Sequence, residues 1–130
     1  MNTKQFFILG ASVLVSALGG PAVAQETQGQ YVQVAEIEID PAQMEAYKAA
    51  VREQIEAAVR TEPGVLVLYA VSDKNDPTHV RVFEIYRDTD AYKAHLQSVH
   101  FKKYKTTTEK MVKSLKLVQV DPIMLGAKPR

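Results

Sequence analysis

Seven consecutive residues, Val65 to Val71 (VLVLYAV), are apolar at every position. Successive side chains of a strand point to opposite faces, so a strand that is oily on both sides must be covered on both sides. A chain of 130 residues has room for about one domain with one modest core. Whatever fold surrounds Val65–Val71 therefore has to supply two covers from little material.

The flanking periodicities say what one cover is. Tyr31 to Ile39 (YVQVAEIEI) alternates, with Tyr31, Ala35, Ile37 and Ile39 on one face and Val32, Val34, Glu36 and Glu38 on the other, which reads as a strand. Asp40-Pro41 is a helix start: Asp40 caps, Pro41 fits the first helical position, and Gln43 closes a capping box. Met44, Tyr47, Val51, Ile55, Ala58 and Val59 follow at spacings of three and four, forming one apolar stripe that Glu62-Pro63-Gly64 terminates. After Val65–Val71, the turn residues Ser72–Thr78 join a second strand, His79 to Arg87, as a hairpin. Asp88 to Asp90 opens a helical stretch in which Tyr92, Leu96 and Val99 share a side, with His95 between them. Ser98 bends or restarts that helix, and Phe101, Tyr104, Thr108, Met111, Val112 and Leu115 carry the rhythm on. Leu115 to Val120 is predicted as the last strand.

The order β-α-β-β-α(α)-β is the ferredoxin-like α+β pattern, one antiparallel sheet with helices on one face. Two helical segments cover one face of Val65–Val71 and leave the other bare. A second copy packed sheet to sheet in a homodimer is the simplest second cover. The tail 122–130, with the apolar Ile123-Met124-Leu125, is placed to reach across to that partner.

The first 24 residues read differently. Lys4 precedes an uncharged apolar run from Phe6 to Leu18, Gly19-Gly20-Pro21 breaks it, and Ala22-Val23-Ala24 is a small-x-small cleavage pattern. This is the signature of a secretory signal peptide removed between Ala24 and Gln25, which implies export to the periplasm or beyond. The run is shorter than the roughly 20 residues a membrane span needs, so no membrane attachment is expected after cleavage. Residues 25–30 read as a flexible segment and 31–121 as the domain. The mature part carries 15 basic and 15 acidic residues, which argues against nucleic acid as a partner. Its charge is unevenly spread: residues 25–92 hold 6 basic against 13 acidic, and residues 93–130 hold 9 against 2. This fits a solvated lysine-rich helix, a cationic rim or a match between subunits. Without cysteine, thiolate chemistry and disulfides are excluded.

No glycine-rich phosphate loop and no serine or cysteine nucleophile pattern is present. Two of the three histidines, His95 and His100, lie five apart in the second helical region. That spacing does not stack them on one helix face, so no metal site is assigned. His95 lies on or beside the face that looks toward the sheet, and a histidine there is the natural proton acceptor near neutral pH. A semi-buried helix histidine also serves as a structural donor to a backbone carbonyl, and the pattern leaves both roles open. Tyr92 and Tyr104 from the helices and Tyr69 from the sheet are candidate substrate-binding phenols. Glu84, mid-strand between Phe83 and Ile85, is assigned with Tyr86 to a structural role at the subunit interface, where Arg81 or Arg87 of a partner chain, or a backbone amide, would balance its charge.

The stretch Phe83-Glu84-Ile85-Tyr86-Arg87-Asp88, then Ala91-Tyr92, Ala94-His95, Ser98, His100-Phe101 and Tyr104, resembles the antibiotic biosynthesis monooxygenase family. The resemblance runs over about 31–121 and includes Glu62-Pro63-Gly64 at the helix exit. It implies a dimeric α/β barrel of paired ferredoxin-like sheets. It also implies one of several activities: cofactor-free oxidation of quinols or polyketide phenols, haem degradation, or processing of a phosphorylated signal. The haem branch usually has tryptophan where this chain has His95 and an axial histidine where it has Lys105, and the signal-processing branch works in the cytoplasm. The small quinol monooxygenase type is the nearest. The expectation is an exported, cofactor-independent monooxygenase acting on a dihydroxyaromatic with molecular oxygen, with His95 as the base, His100 second, and Tyr92 and Tyr104 holding substrate oxygens. The alternatives are a non-catalytic dimer that binds a small aromatic ligand, and a structural dimer whose pocket is filled by side chains.

Overall fold

The computed structural model describes residues 29–130. The signal-peptide reading of residues 1–24 lies outside the described residues, as do positions 25–28 of the segment expected to be flexible. The elements in chain order are β1 (Tyr31–Ile39), a 3-10 turn (Pro41–Gln43), α1 (Met44–Thr61), β2 (Val65–Ser72), β3 (His79–Tyr86), α2 (Thr89–Gln97), α3 (Val99–Thr108) and β4 (Val112–Gln119). They build a ferredoxin-like α+β fold. The four strands form one antiparallel sheet in the order β2-β3-β1-β4. Within one chain this sheet is open, not a closed barrel.

Local chemistry accounts for the boundaries. Asp40 Oδ1 accepts from the Ala42 amide at 3.0 Å, so the cap starts the 3-10 turn, and α1 follows without the side-chain bond expected of Gln43. Ser98 ends α2 with its amide on the His95 carbonyl and starts α3 with its hydroxyl accepting from the Phe101 amide. This restart turns the chain sharply between His95 and His100. The last strand begins at Val112, three residues before the predicted Leu115. Val112 and Leu115 continue an apparent helical rhythm, but they belong to β4, and α3 stops at Thr108.

The helices pack on one face only. Tyr47 and Val51 of α1 meet Ala35, Ile37, Ile39, Val80 and Val82 of the sheet, and Ala58 meets Val65, Leu68, Tyr86 and Ala91. Val59, counted in the stripe by spacing, is 53% exposed, and the buried α1 face takes Gln54 instead. Gly64 lets α2 approach β2. A Cβ at that position would lie 2.5 Å from the Cβ of Ala91, a separation no packed carbons tolerate.

The other face of the sheet has no helix on it. Tyr69 and Val71 are more than half exposed there, and Val34, Val67, Phe83 and Val118 are only half-buried. Val65–Val71 thus has one cover within the chain. The tail past Gln119 has no regular structure, and Ile123 and Met124 stand almost fully in solvent.

Candidate active site

β4 lies at the sheet edge, and its inner side chains Leu115 and Leu117 face a cavity instead of a helix. The cavity holds about 600 Å³ between the sheet and α1, α2 and α3. That volume suits a small organic ligand. Its walls are mostly apolar, with polar groups from Gln33, Gln54, Glu84, Tyr86, His95 and Tyr104.

His95 is almost fully buried in this wall, between Tyr86 and Phe101, whose ring centroids lie 5.4 and 5.0 Å from its own. Its Nδ1 donates to Glu62 Oε2 at 2.8 Å. His100 Nε2 donates to the same oxygen at 2.5 Å. Glu62 is the residue that ends α1, so the helix stop also carries a carboxylate into the break between α2 and α3. With Nδ1 occupied, Nε2 is the atom left for the cavity. Burial holds the His95 pKa below the ordinary imidazole value, against the upward pull of Glu62. The ring is therefore neutral near pH 7 with a lone pair on Nε2, the state a general base requires.

A second polar group faces the cavity from the sheet. Tyr86 Oη donates to Glu84 Oε1 at 2.6 Å and Gln33 Nε2 donates to the same oxygen at 3.1 Å. Burial raises the Glu84 pKa, partly offset by these two bonds. Burial and the neighbouring Glu84 carboxylate push the Tyr86 phenol far above its usual range. Tyr104 and Tyr47 share a hydrogen bond of 2.7 Å, and burial raises both phenols. These phenols stay protonated and act as hydrogen-bonding groups, not as acids or bases. Gln54 is buried with no hydrogen-bond partner for Oε1 among the described residues.

Set beside the sequence candidates, His95, Tyr92 and Tyr104 line the cavity. Tyr92 stacks on Tyr31 at 4.2 Å. His100 is not part of the cavity wall, and it meets His95 only through Glu62. Tyr69 projects from the outer side of β2, 56% exposed, and does not line this cavity. Glu84 and Tyr86, assigned above to the subunit interface, instead line the cavity on the helix side of the sheet and bond to each other. Their strand has apolar residues on both faces, so alternation could not tell inside from outside. The sequence does not single out Glu62, Gln33 or Gln54 as site residues. By its local pattern Glu62 is a helix stop, and nothing local signals that it converges on two histidines more than thirty positions away.

The sequence profile of the family described as antibiotic biosynthesis monooxygenase matches residues 30–107. No curated protein matches the chain. Among solved structures, the chain is 46% identical to a putative antibiotic biosynthesis monooxygenase from Bacteriodes thetaiotaomicron VPI-5482. That match covers 80% of this chain and 99% of the other, with a TM-score of 0.76. A Pseudomonas aeruginosa protein (23% identity, 74% and 96% covered, TM-score 0.68) and a conserved protein from Methanosarcina mazei Go1 (16%, 75% and 96%, 0.68) share the fold. The profile match over most of the domain and the 46% relative lead to one conclusion: the chain belongs to the antibiotic biosynthesis monooxygenase family, a family of oxidoreductases.

Proposed function

We propose that the protein is a cofactor-independent monooxygenase that oxidises a quinol or related dihydroxyaromatic with molecular oxygen. The observation that carries this is His95: a neutral imidazole, fixed through Nδ1 by Glu62, in the wall of a largely apolar cavity. Triplet oxygen reacts slowly with closed-shell organic molecules, and a quinol that has lost a proton is a much stronger electron donor. Nε2 takes that proton, and the apolar walls exclude water from the pair. Tyr92 and Tyr104 flank the space a ring would occupy, and the Tyr86–Glu84–Gln33 group presents polar atoms to its hydroxyls. The stoichiometry closes without an added reductant. One dihydroxyaromatic and one O₂ give one hydroxylated quinone and one water, and the ring supplies all four electrons.

The same reading includes a two-fold dimer joined through the uncovered sheet face, as the exposed Tyr69 and Val71 suggest. It also includes export directed by residues 1–24. Among the described residues no helix is long and apolar enough to cross a membrane.

Oxygen uptake by the purified protein with a panel of quinols, without flavin or metal, is the test. Turnover is expected, and His95→Ala is expected to lower it by about 10²–10⁴-fold. His100→Ala, one step removed from the cavity, should cost less. Ligand-induced thermal stabilisation without oxygen uptake would replace the reading with a binding role. A loss under threefold in both variants would remove His95 and His100 from the chemistry.

A further inference from the structure

We propose that Glu62, His95 and His100 form a binding site for a divalent first-row transition ion of the zinc or cobalt class, at the junction of α1, α2 and α3. Each residue offers one ligand atom, Glu62 Oε2, His95 Nδ1 and His100 Nε2, and all three atoms lie within 4.8 Å of one another. The rings are tilted by 49° with centroids 6.0 Å apart. Two imidazoles bound at 2.0–2.1 Å to one tetrahedral ion hold their centroids about 5 Å apart, so the observed pair would close by roughly 1 Å or less onto a shared ion. The carboxylate and ring nitrogens now stand at hydrogen-bond separations of 2.8 and 2.5 Å. Ligand atoms around a tetrahedral ion at these distances sit about 3.3 Å from each other, so His95 and His100 would draw back from the carboxylate by about 0.5 and 0.8 Å.

The donor set is chemically apt. Two imidazoles and a carboxylate suit zinc, cobalt, nickel and iron(II), and three protein ligands leave at least one position for water. Access is available from one side: the Glu62 and His100 side chains are 16% and 17% exposed, while His95 is closed off at 2%. The ion would therefore sit behind His95, away from the cavity. It would take Nδ1, moving the single proton of the neutral ring to Nε2, the atom the proposed chemistry needs free. The ion is thus an antagonist of the base, not its helper. The binding claim stands on geometry alone. Only the antagonism rests on the function proposed above.

The test begins with the chelator-stripped protein. Cobalt(II) should bind at one per chain and develop the visible absorption of a low-coordinate nitrogen and oxygen site. Zinc should displace it and raise the melting temperature. The chain has three histidines, so wild-type protein suffices for assignment: zinc should shift the ring resonances of His95 and His100 and leave those of His79 in place. His79 lies 3.8 and 3.6 Å from Glu38 and Asp76 and is the internal control. Glu62→Gln and His100→Ala should each weaken binding by more than the roughly 10–100-fold that loss of an outer-sphere partner costs, and His79→Ala should leave it unchanged. The absence of stoichiometric cobalt or zinc binding would overturn the site, and so would binding that depends on His79 and ignores Glu62. Where quinol-dependent oxygen uptake is measured, zinc at saturation should suppress it and chelator should restore it. Unchanged uptake at a filled site would sink the antagonism and spare the site.

Discussion

Gly64→Ala tests the packing that positions the active site. The new Cβ would lie 2.5 Å from Ala91 Cβ, whereas packed carbons rest about 3.5–4.0 Å apart. The contact must open by about 1–1.5 Å, and both atoms are stubs with no rotamer to yield. Ala91 lies on α2 four residues before His95, so relief means moving the helix that carries the proposed base. Overpacking of this kind costs about 1–3 kcal/mol. Each kcal/mol lowers the melting temperature of a domain this size by about 4–8 °C. A displacement near 1 Å at a catalytic group costs on the order of 10²-fold in rate. The assay is thermal or urea unfolding of Gly64→Ala, Ala91→Gly and the double variant. Ala91→Gly alone should cost about 1 kcal/mol for glycine in a helix. The double variant should recover most of the loss, because the next atoms, Ala91 Cα and Arg87 Cζ, lie at 3.5 and 3.6 Å. A coupling energy near zero in that cycle, or an unchanged melting temperature for Gly64→Ala, would refute the close-approach argument.

Other outcomes follow from the polar groups and the bare face. Burial raises the folded-state pKa of Glu84 above its ordinary 4.5, so the folded protein holds that proton more tightly than the unfolded chain. The contribution to stability is fully present below pH 4.5 and is lost as pH rises through the folded-state value. Glu84→Gln, which keeps the acceptor for Tyr86, should therefore gain on the wild type across that window in unfolding measured against pH. A flat difference, or one of opposite slope, would count against the burial. Tyr69→Glu puts a charge on the open sheet face, where Tyr69 is 56% exposed in the single chain. It should cost a monomer under about 0.5 kcal/mol yet halve the sedimenting mass of a sheet-to-sheet dimer, and an unchanged mass would locate the partner elsewhere.

Much of the architecture was readable because it is written in short-range periods. Tyr31–Ile39 alternates, α1 repeats at three and four, Ser98 can cap only by interrupting a helix, and Glu62-Pro63-Gly64 can only end one. The element order follows from these, and Val65–Val71 showed that one chain's helices would not suffice. The edges were less legible where periods overlap. Val112 and Leu115 satisfy a helical rhythm and a strand equally, and pairing with Ile39 and Ile37 makes them β4. The site was legible only in part. His95 announced itself as a histidine on an inward face, but its partner did not, since Glu62 is 33 residues away. Glu84 is the opposite case. Its strand is apolar on both sides, so its direction was decided by which face the helices chose.

What the sequence determines by itself is whatever depends on neighbours within a few residues: strands, helices, their caps, and the apolar excess of Val65–Val71 that calls for a second cover. What only the tertiary structure decides is convergence. Three helix ends bring His95 and His100 onto one oxygen of Glu62, and the neighbouring strands β1 and β3 bring Gln33 and Tyr86 onto one oxygen of Glu84. The reason is physical. Secondary structure is set by local backbone energetics, whereas a site is set by how separate elements pack. A hydrogen bond between residues thirty or fifty apart leaves no period in the chain for a reader to find.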